Sequence, residues 1–116
     1  MQDSILTRLY ATLLARKGAQ PSSSYVASLY AKGTDKIAEK IREEAEELIT
    51  EARALDDAPT DALLQKNIRA EAADLLFHMM VLLAHHNVPF EDVLAILERR
   101  FGTSGHAEKA ERTETP

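Results

Sequence analysis

The sequence predicts an all-α protein, a bundle of about five helices that dimerises through its apolar helices. Apolar residues recur at spacings of three and four along most of the chain, the pattern that builds one face of a helix. No segment sustains the apolar/polar alternation of a strand, and no repeat of solenoid length appears. The 116 residues fit one domain, large enough for a core and too small for two.

In the first helix Ile5, Leu6, Leu9, Tyr10, Leu13 and Leu14 share a face, and Gly18 and Pro21 end it. Ser22, Ser23 or Ser24 can cap a short second helix that carries Tyr25, Val26, Leu29 and Tyr30 and stops at Lys32-Gly33. Thr34 opens a third, longer helix running from about Asp35 to Leu55, with Ile37, Ile41, Ala45, Leu48 and Ala52 in one stripe. Asp56-Asp57-Ala58-Pro59 closes it, and Thr60 or Asp61 caps a fourth helix that reaches about His86. After Asn87-Val88-Pro89 comes a fifth helix with Val93, Leu94, Ile96 and Leu97. These elements place the folded domain at residues 1–101 and a polar tail at 102–116, with a weakly helical piece around Ala107 to Glu111. The fourth helix is apolar on almost every side from Leu75 to Leu83, more than one small monomer buries, which points to a homodimer.

The formal net charge of −5 comes without a dense basic run, so no nucleic-acid partner is expected. The absence of cysteine rules out disulfides, thiolate zinc sites and cysteine nucleophiles, and fits a reducing cytoplasm. The opening Met1-Gln2-Asp3-Ser4 lacks the basic start of a secretion signal. The longest apolar stretch, Met79 to Ala84, falls far short of the roughly 20 residues that cross a bilayer.

The chemistry is concentrated in acidic clusters on the third and fourth helices, Glu43-Glu44-Ala45-Glu46-Glu47 and Glu71-Ala72-Ala73-Asp74. Glu46 and Glu51 read as a solvated face. At about 100° per residue, Glu44 instead falls beside Ile37 and Leu48 at the edge of the apolar stripe, with Glu47 one turn on. Glu71 projects in line with Leu75, His78 and Leu82, and Asp74 lies one turn along. Carboxylates gathered at the border of a core repel one another, and a hard divalent cation is the economical compensation. Magnesium, with manganese as its substitute, suits all-oxygen ligands left open on one side.

Other metal chemistries fit poorly. Di-iron bundles need Glu-x-x-His pairs, and none of His78, His85, His86 or His106 has a glutamate three positions before it. Neither a zinc His-Glu-x-x-His helix nor a glycine-rich phosphate loop is present. His78 could orient Asp74 or touch substrate, though a hydrogen-bonded core histidine is the commoner case. His85 and His86 read as residues favoured by a helix C-terminal dipole.

The ordered motifs Glu43-Glu44-x-x-Glu47 and Glu71-x-x-Asp74 resemble those of the all-α, MazG-like nucleotide pyrophosphatases. The wording is closer still to the phosphoribosyl-ATP pyrophosphatases at Tyr25 to Leu29, at Lys32-Gly33-Thr34-Asp35-Lys36-Ile37, from Glu71 to His78, and at Ser104-Gly105 with Glu108-Lys109. The resemblance covers nearly the whole chain. It implies magnesium-dependent hydrolysis of phosphoribosyl-ATP to phosphoribosyl-AMP and pyrophosphate, the second step of histidine synthesis, by a helical dimer. By position it makes Glu44, Glu47, Glu71 and Asp74 metal ligands, and Glu43 a ligand or a supporting acid. One departure is His106, where an aliphatic residue is expected.

In such a site a carboxylate takes a proton from the attacking water, and Glu47 or Glu44 is the expected base. Lys36 and Lys40 project near the face of Glu47 and would hold phosphates. Lys32, Lys109 and Arg112 are further candidates for the second ribose phosphate, the last two from the tail. Two alternatives compete: a housekeeping pyrophosphatase of noncanonical nucleoside triphosphates, and a non-catalytic helical interaction module with acidic solubilising faces.

Overall fold

The computed structural model describes residues 4–102. Helix α1 spans Ile5–Ala15 and passes through a 3-10 turn, Arg16–Gly18, into a loop. Helices α2 (Tyr25–Lys32), α3 (Thr34–Asp57), α4 (Ala62–His85) and α5 (Phe90–Phe101) follow, so the described residues form an all-α fold. The chain chooses its caps by geometry. Ser4, Ser24 and Asp61 each accept a hydrogen bond from the backbone N–H three residues on, at 3.2, 3.1 and 3.0 Å, satisfying donors that a helix start leaves open.

The third helix begins at Thr34, as expected, with Gly33 as an N-cap that offers no side chain, and it runs two residues past Leu55 to end at Asp57, within the expected closing segment. The Thr34 hydroxyl bonds His86 Nε2 at 2.9 Å and ties the start of α3 to the end of α4. Gly33 lies at φ 91°, ψ −174°, a region essentially reserved for glycine, and so joins α2 to α3 with no intervening loop.

The long helices α3 and α4 form an antiparallel hairpin, and the shorter helices cover one end of it. There Tyr10 and Leu13 of α1, Leu29 of α2, Ile37 of α3, Met80, Val81 and Ala84 of α4 and Phe90 of α5 make the core. Burying each of the largest aliphatic side chains contributes about 1.5–3 kcal/mol. Buried hydroxyls find partners: Tyr30 donates to the Leu13 carbonyl at 2.7 Å, and Tyr10 donates to the Val88 carbonyl while its ring stacks on Phe90. Asn87, at φ 59°, turns the chain between α4 and α5, which bend by 116°.

Toward the other end of the hairpin the picture changes. Between residues 38 and 77 no residue is buried, and Ala52, expected on the apolar stripe, is exposed. That half of the hairpin carries the acidic motifs. Among the described residues, no single helix is long and apolar enough to cross a membrane.

Candidate functional site

The acidic motifs meet because α3 and α4 run antiparallel, which brings Glu44 and Glu47 on one helix opposite Glu71 on the other. One carboxylate oxygen from each of the three lies within 4.8 Å of the others. Glu44 is well enclosed, with a side chain only 12% exposed. Glu71 is half-buried and Glu47 is exposed, so the group opens on one side to solvent.

The cluster is under electrostatic load. The Glu47 carboxylate beside Glu71, burial, and the charges of Asp74 and Glu44 hold the Glu71 carboxyl above its ordinary value of 4.5. Glu71 Oε1 is closed off from solvent and has no hydrogen-bond partner. A buried oxygen without a donor is costly, and a cation is what three converging carboxylates lack. The donor set is all oxygen, so the residues fit a hard divalent ion.

The remaining expected residues fall in different places. Asp74 is exposed and stays outside the group of three, although its charge acts on Glu71. Glu43 turns away to an ion pair with Lys40 at 3.2 Å, which holds the Lys40 ammonium above its usual pKa. Lys36 pairs with Glu39 at 3.5 Å, and Lys32 is exposed in the last turn of α2. Lys109, Arg112 and His106 lie outside the described residues. Glu46 is exposed as expected, but Glu51 is half-buried and accepts a bond from Asn67 at 3.3 Å.

His78 is the hydrogen-bonded core histidine of the commoner expectation: it is buried, and both ring nitrogens are engaged within the protein, which leaves neither for the substrate contact that was the other reading. It also orients a different carboxylate from the one expected: Nδ1 lies 2.6 Å from Glu44 Oε1 and 3.0 Å from the main-chain carbonyl of Asp74, not its side chain. Its Nε2 lies 2.9 Å from the Tyr25 hydroxyl. Tyr25 is the site residue that sequence reasoning missed, since helical spacing cannot connect the start of α2 with the middle of α4. His85 and His86 are more than residues at a helix end: His85 stacks on Tyr30, and its pKa is lowered by burial, His86 and Lys17.

With this geometry in place, comparison with known proteins decides the family. The profile described as phosphoribosyl-ATP pyrophosphohydrolase matches residues 6–101, nearly all of the helical domain. The chain belongs to the phosphoribosyl-ATP pyrophosphohydrolase family. It is similar to a phosphoribosyl-ATP pyrophosphatase from Rhizorhabdus wittichii, 55% identical over 92% of this chain and 93% of that one. A second, from Geobacter sulfurreducens, is 50% identical over 97% of both chains. A third, from Neisseria gonorrhoeae, is 47% identical over 99% of this chain and all of its own. Membership in the pyrophosphohydrolase family gives the acidic hairpin its context: this chain is a hydrolase of phosphoanhydrides, and its three converging glutamates lie within the matched region.

Proposed function

We propose that this protein hydrolyses phosphoribosyl-ATP to phosphoribosyl-AMP and pyrophosphate, in histidine synthesis in the cytoplasm, with a divalent cation, magnesium or manganese, held by Glu44, Glu47 and Glu71. The observation that carries the reading is the convergence of those three carboxylates, one oxygen orphaned, in a member of this family. Asp74, whose charge acts on Glu71, and Glu43, on release of Lys40, complete the proposed ligand set. When bound, the ion supplies charge neutralisation for the phosphates and acidifies water.

The protein's own residues divide the remaining work. Glu44 has one oxygen committed to His78, which lowers its availability as a base. Glu47 is the exposed member of the group and takes the proton from the attacking water. Lys36 and Lys40 lie on α3 ahead of the carboxylates, and their surface pairs are weak enough to give way to a polyphosphate. Lys32, with Lys109 and Arg112 of the tail, supplies positive charge for the second ribose phosphate, which the carboxylate cluster cannot recognise.

We further infer a homodimer, supported by the bare half of the hairpin. The deciding experiment is an assay of the purified protein on phosphoribosyl-ATP against a panel of nucleoside triphosphates, with magnesium and with a chelator. Magnesium-dependent turnover favouring phosphoribosyl-ATP is expected. Preference for noncanonical triphosphates overturns the substrate, and turnover unaffected by the chelator overturns the metal.

A further inference from the structure

The Tyr25–His78–Glu44 chain crosses three helices, from a half-exposed ring on α2 through a buried imidazole on α4 to a carboxylate on α3. A buried histidine needs its nitrogens satisfied, and that alone asks nothing of the partners' identity. Here the identities matter. The two groups facing Nδ1, the Glu44 carboxylate at 2.6 Å and the Asp74 carbonyl at 3.0 Å, are both acceptors, so Nδ1 carries the proton. In the neutral ring Nε2 is then the acceptor, and the Tyr25 hydroxyl at 2.9 Å donates to it. A ring proton on Nε2 would leave Nδ1 lone pair against lone pair with both acceptors.

We propose that Tyr25 and His78 are positioning residues for Glu44: the Tyr25 hydroxyl holds His78 in the Nδ1–H tautomer, and Nδ1–H fixes the rotation of the Glu44 carboxylate toward the cation site. The inference rests on the metal reading proposed above and adds two residues to it. Its physical basis is that a carboxylate able to rotate spends its binding energy on being ordered, whereas one fixed by a buried donor meets the cation already oriented. Glu44 is suited to this because its side chain is well enclosed, at 12% exposed. Tyr25 also contacts His78 edge-on, with ring centroids 5.9 Å apart, so its ring and its hydroxyl act on the same imidazole.

Two measurements on the full chain test the proposal without substrate. Nitrogen-15 shifts of the His78 ring, assigned by comparison with His78→Asn, report the tautomer of the metal-free protein. Nδ1–H is expected, and an Nε2–H ring overturns the proposal. Calorimetric titration with MgCl2 is then run on the wild type, Tyr25→Phe, His78→Asn and the double variant. Tyr25→Phe keeps the ring and loses only the hydroxyl, so its thermal unfolding stays near that of the wild type while magnesium affinity falls roughly tenfold. In the His78→Asn background the tyrosine change adds nothing, because its hydrogen-bonded route to Glu44 is gone. An equal loss in both backgrounds overturns the relay, as does unchanged affinity in Tyr25→Phe. Failure of the wild type to turn over phosphoribosyl-ATP counts against the proposed substrate alone, since neither measurement uses it.

Discussion

At the scale of single residues, Glu71 carries the clearest consequence. Its folded-state pKa lies above its ordinary value, first because of Glu47. The folded chain therefore binds that proton more tightly than the unfolded one, and the associated stability is present at low pH and lost as pH rises through the raised value. At neutral pH and without divalent ions, the ionised Glu71 is a liability. Glu71→Gln is accordingly more stable than the wild type in a chelating buffer at neutral pH, and the gap closes as pH falls through the raised pKa toward 4.5. Excess magnesium reverses the order, because only the wild type offers the full set of charges. Thermal unfolding across pH, with and without the ion, measures both; a Gln variant no more stable in chelator at neutral pH contradicts the account. Glu47→Gln tests the base, with an expected loss in kcat of about 10²- to 10⁴-fold. Glu46→Gln, one residue away on the solvated face, leaves turnover unchanged.

At the scale of elements, the sequence was legible wherever a local rule decides the outcome. Asp61 and Ser24 stood among the few possible caps, and the α3–α4 hairpin follows from two long periodic segments around Asp56 to Pro59. The sequence placed Glu44 at the edge of an apolar stripe and Glu71 in line with Leu75, and of the four carboxylates expected to converge the structure brings Glu44, Glu47 and Glu71 together without Asp74. What stayed hidden depends on the pairing of distant elements: the rotation of Asp74 out of the group, the claim of Lys40 on Glu43, and the Tyr25–His78 contact. Gly33 shows the boundary between the two kinds of information. The sequence already ended α2 at Gly33 and opened α3 at Thr34, but only the backbone reveals the φ of 91° by which one residue makes that junction. Gly33→Ala puts a Cβ into that conformation and costs about 1–3 kcal/mol. Space is not the reason, for beyond the two flanking residues no atom lies within 4 Å of the added carbon. Urea unfolding measures the loss, and a neutral substitution there removes the strain argument.

At the scale of the molecule, the unequal cover of the hairpin argues for a second copy. The short helices bury one end of α3 and α4, yet residues 38–77 include no buried side chain although they carry Ile41, Leu48, Ile49, Leu64, Ile68 and Leu76. On α4, Ala72, Leu76 and Met79 follow one another at helical spacing on an exposed face, with Leu76 37% and Met79 45% accessible. Polar solvent does not stabilise such a face, whereas the same face on a second copy would cover it by symmetry, as the proposed homodimer requires. A stable interface of ordinary size buries about 800 Å² on each partner. The wild type is therefore expected to sediment as a dimer at micromolar concentration. Leu76→Glu with Met79→Glu places two charges on each copy where the faces meet, and the pair is expected to shift the protein to monomer and lower its unfolding temperature. Because the acidic cluster lies on the same bare half of the hairpin, magnesium affinity falls with the dimer if the partner orders that half. A wild type that sediments as a monomer removes the interface, and a charged variant that remains a dimer moves it to another face.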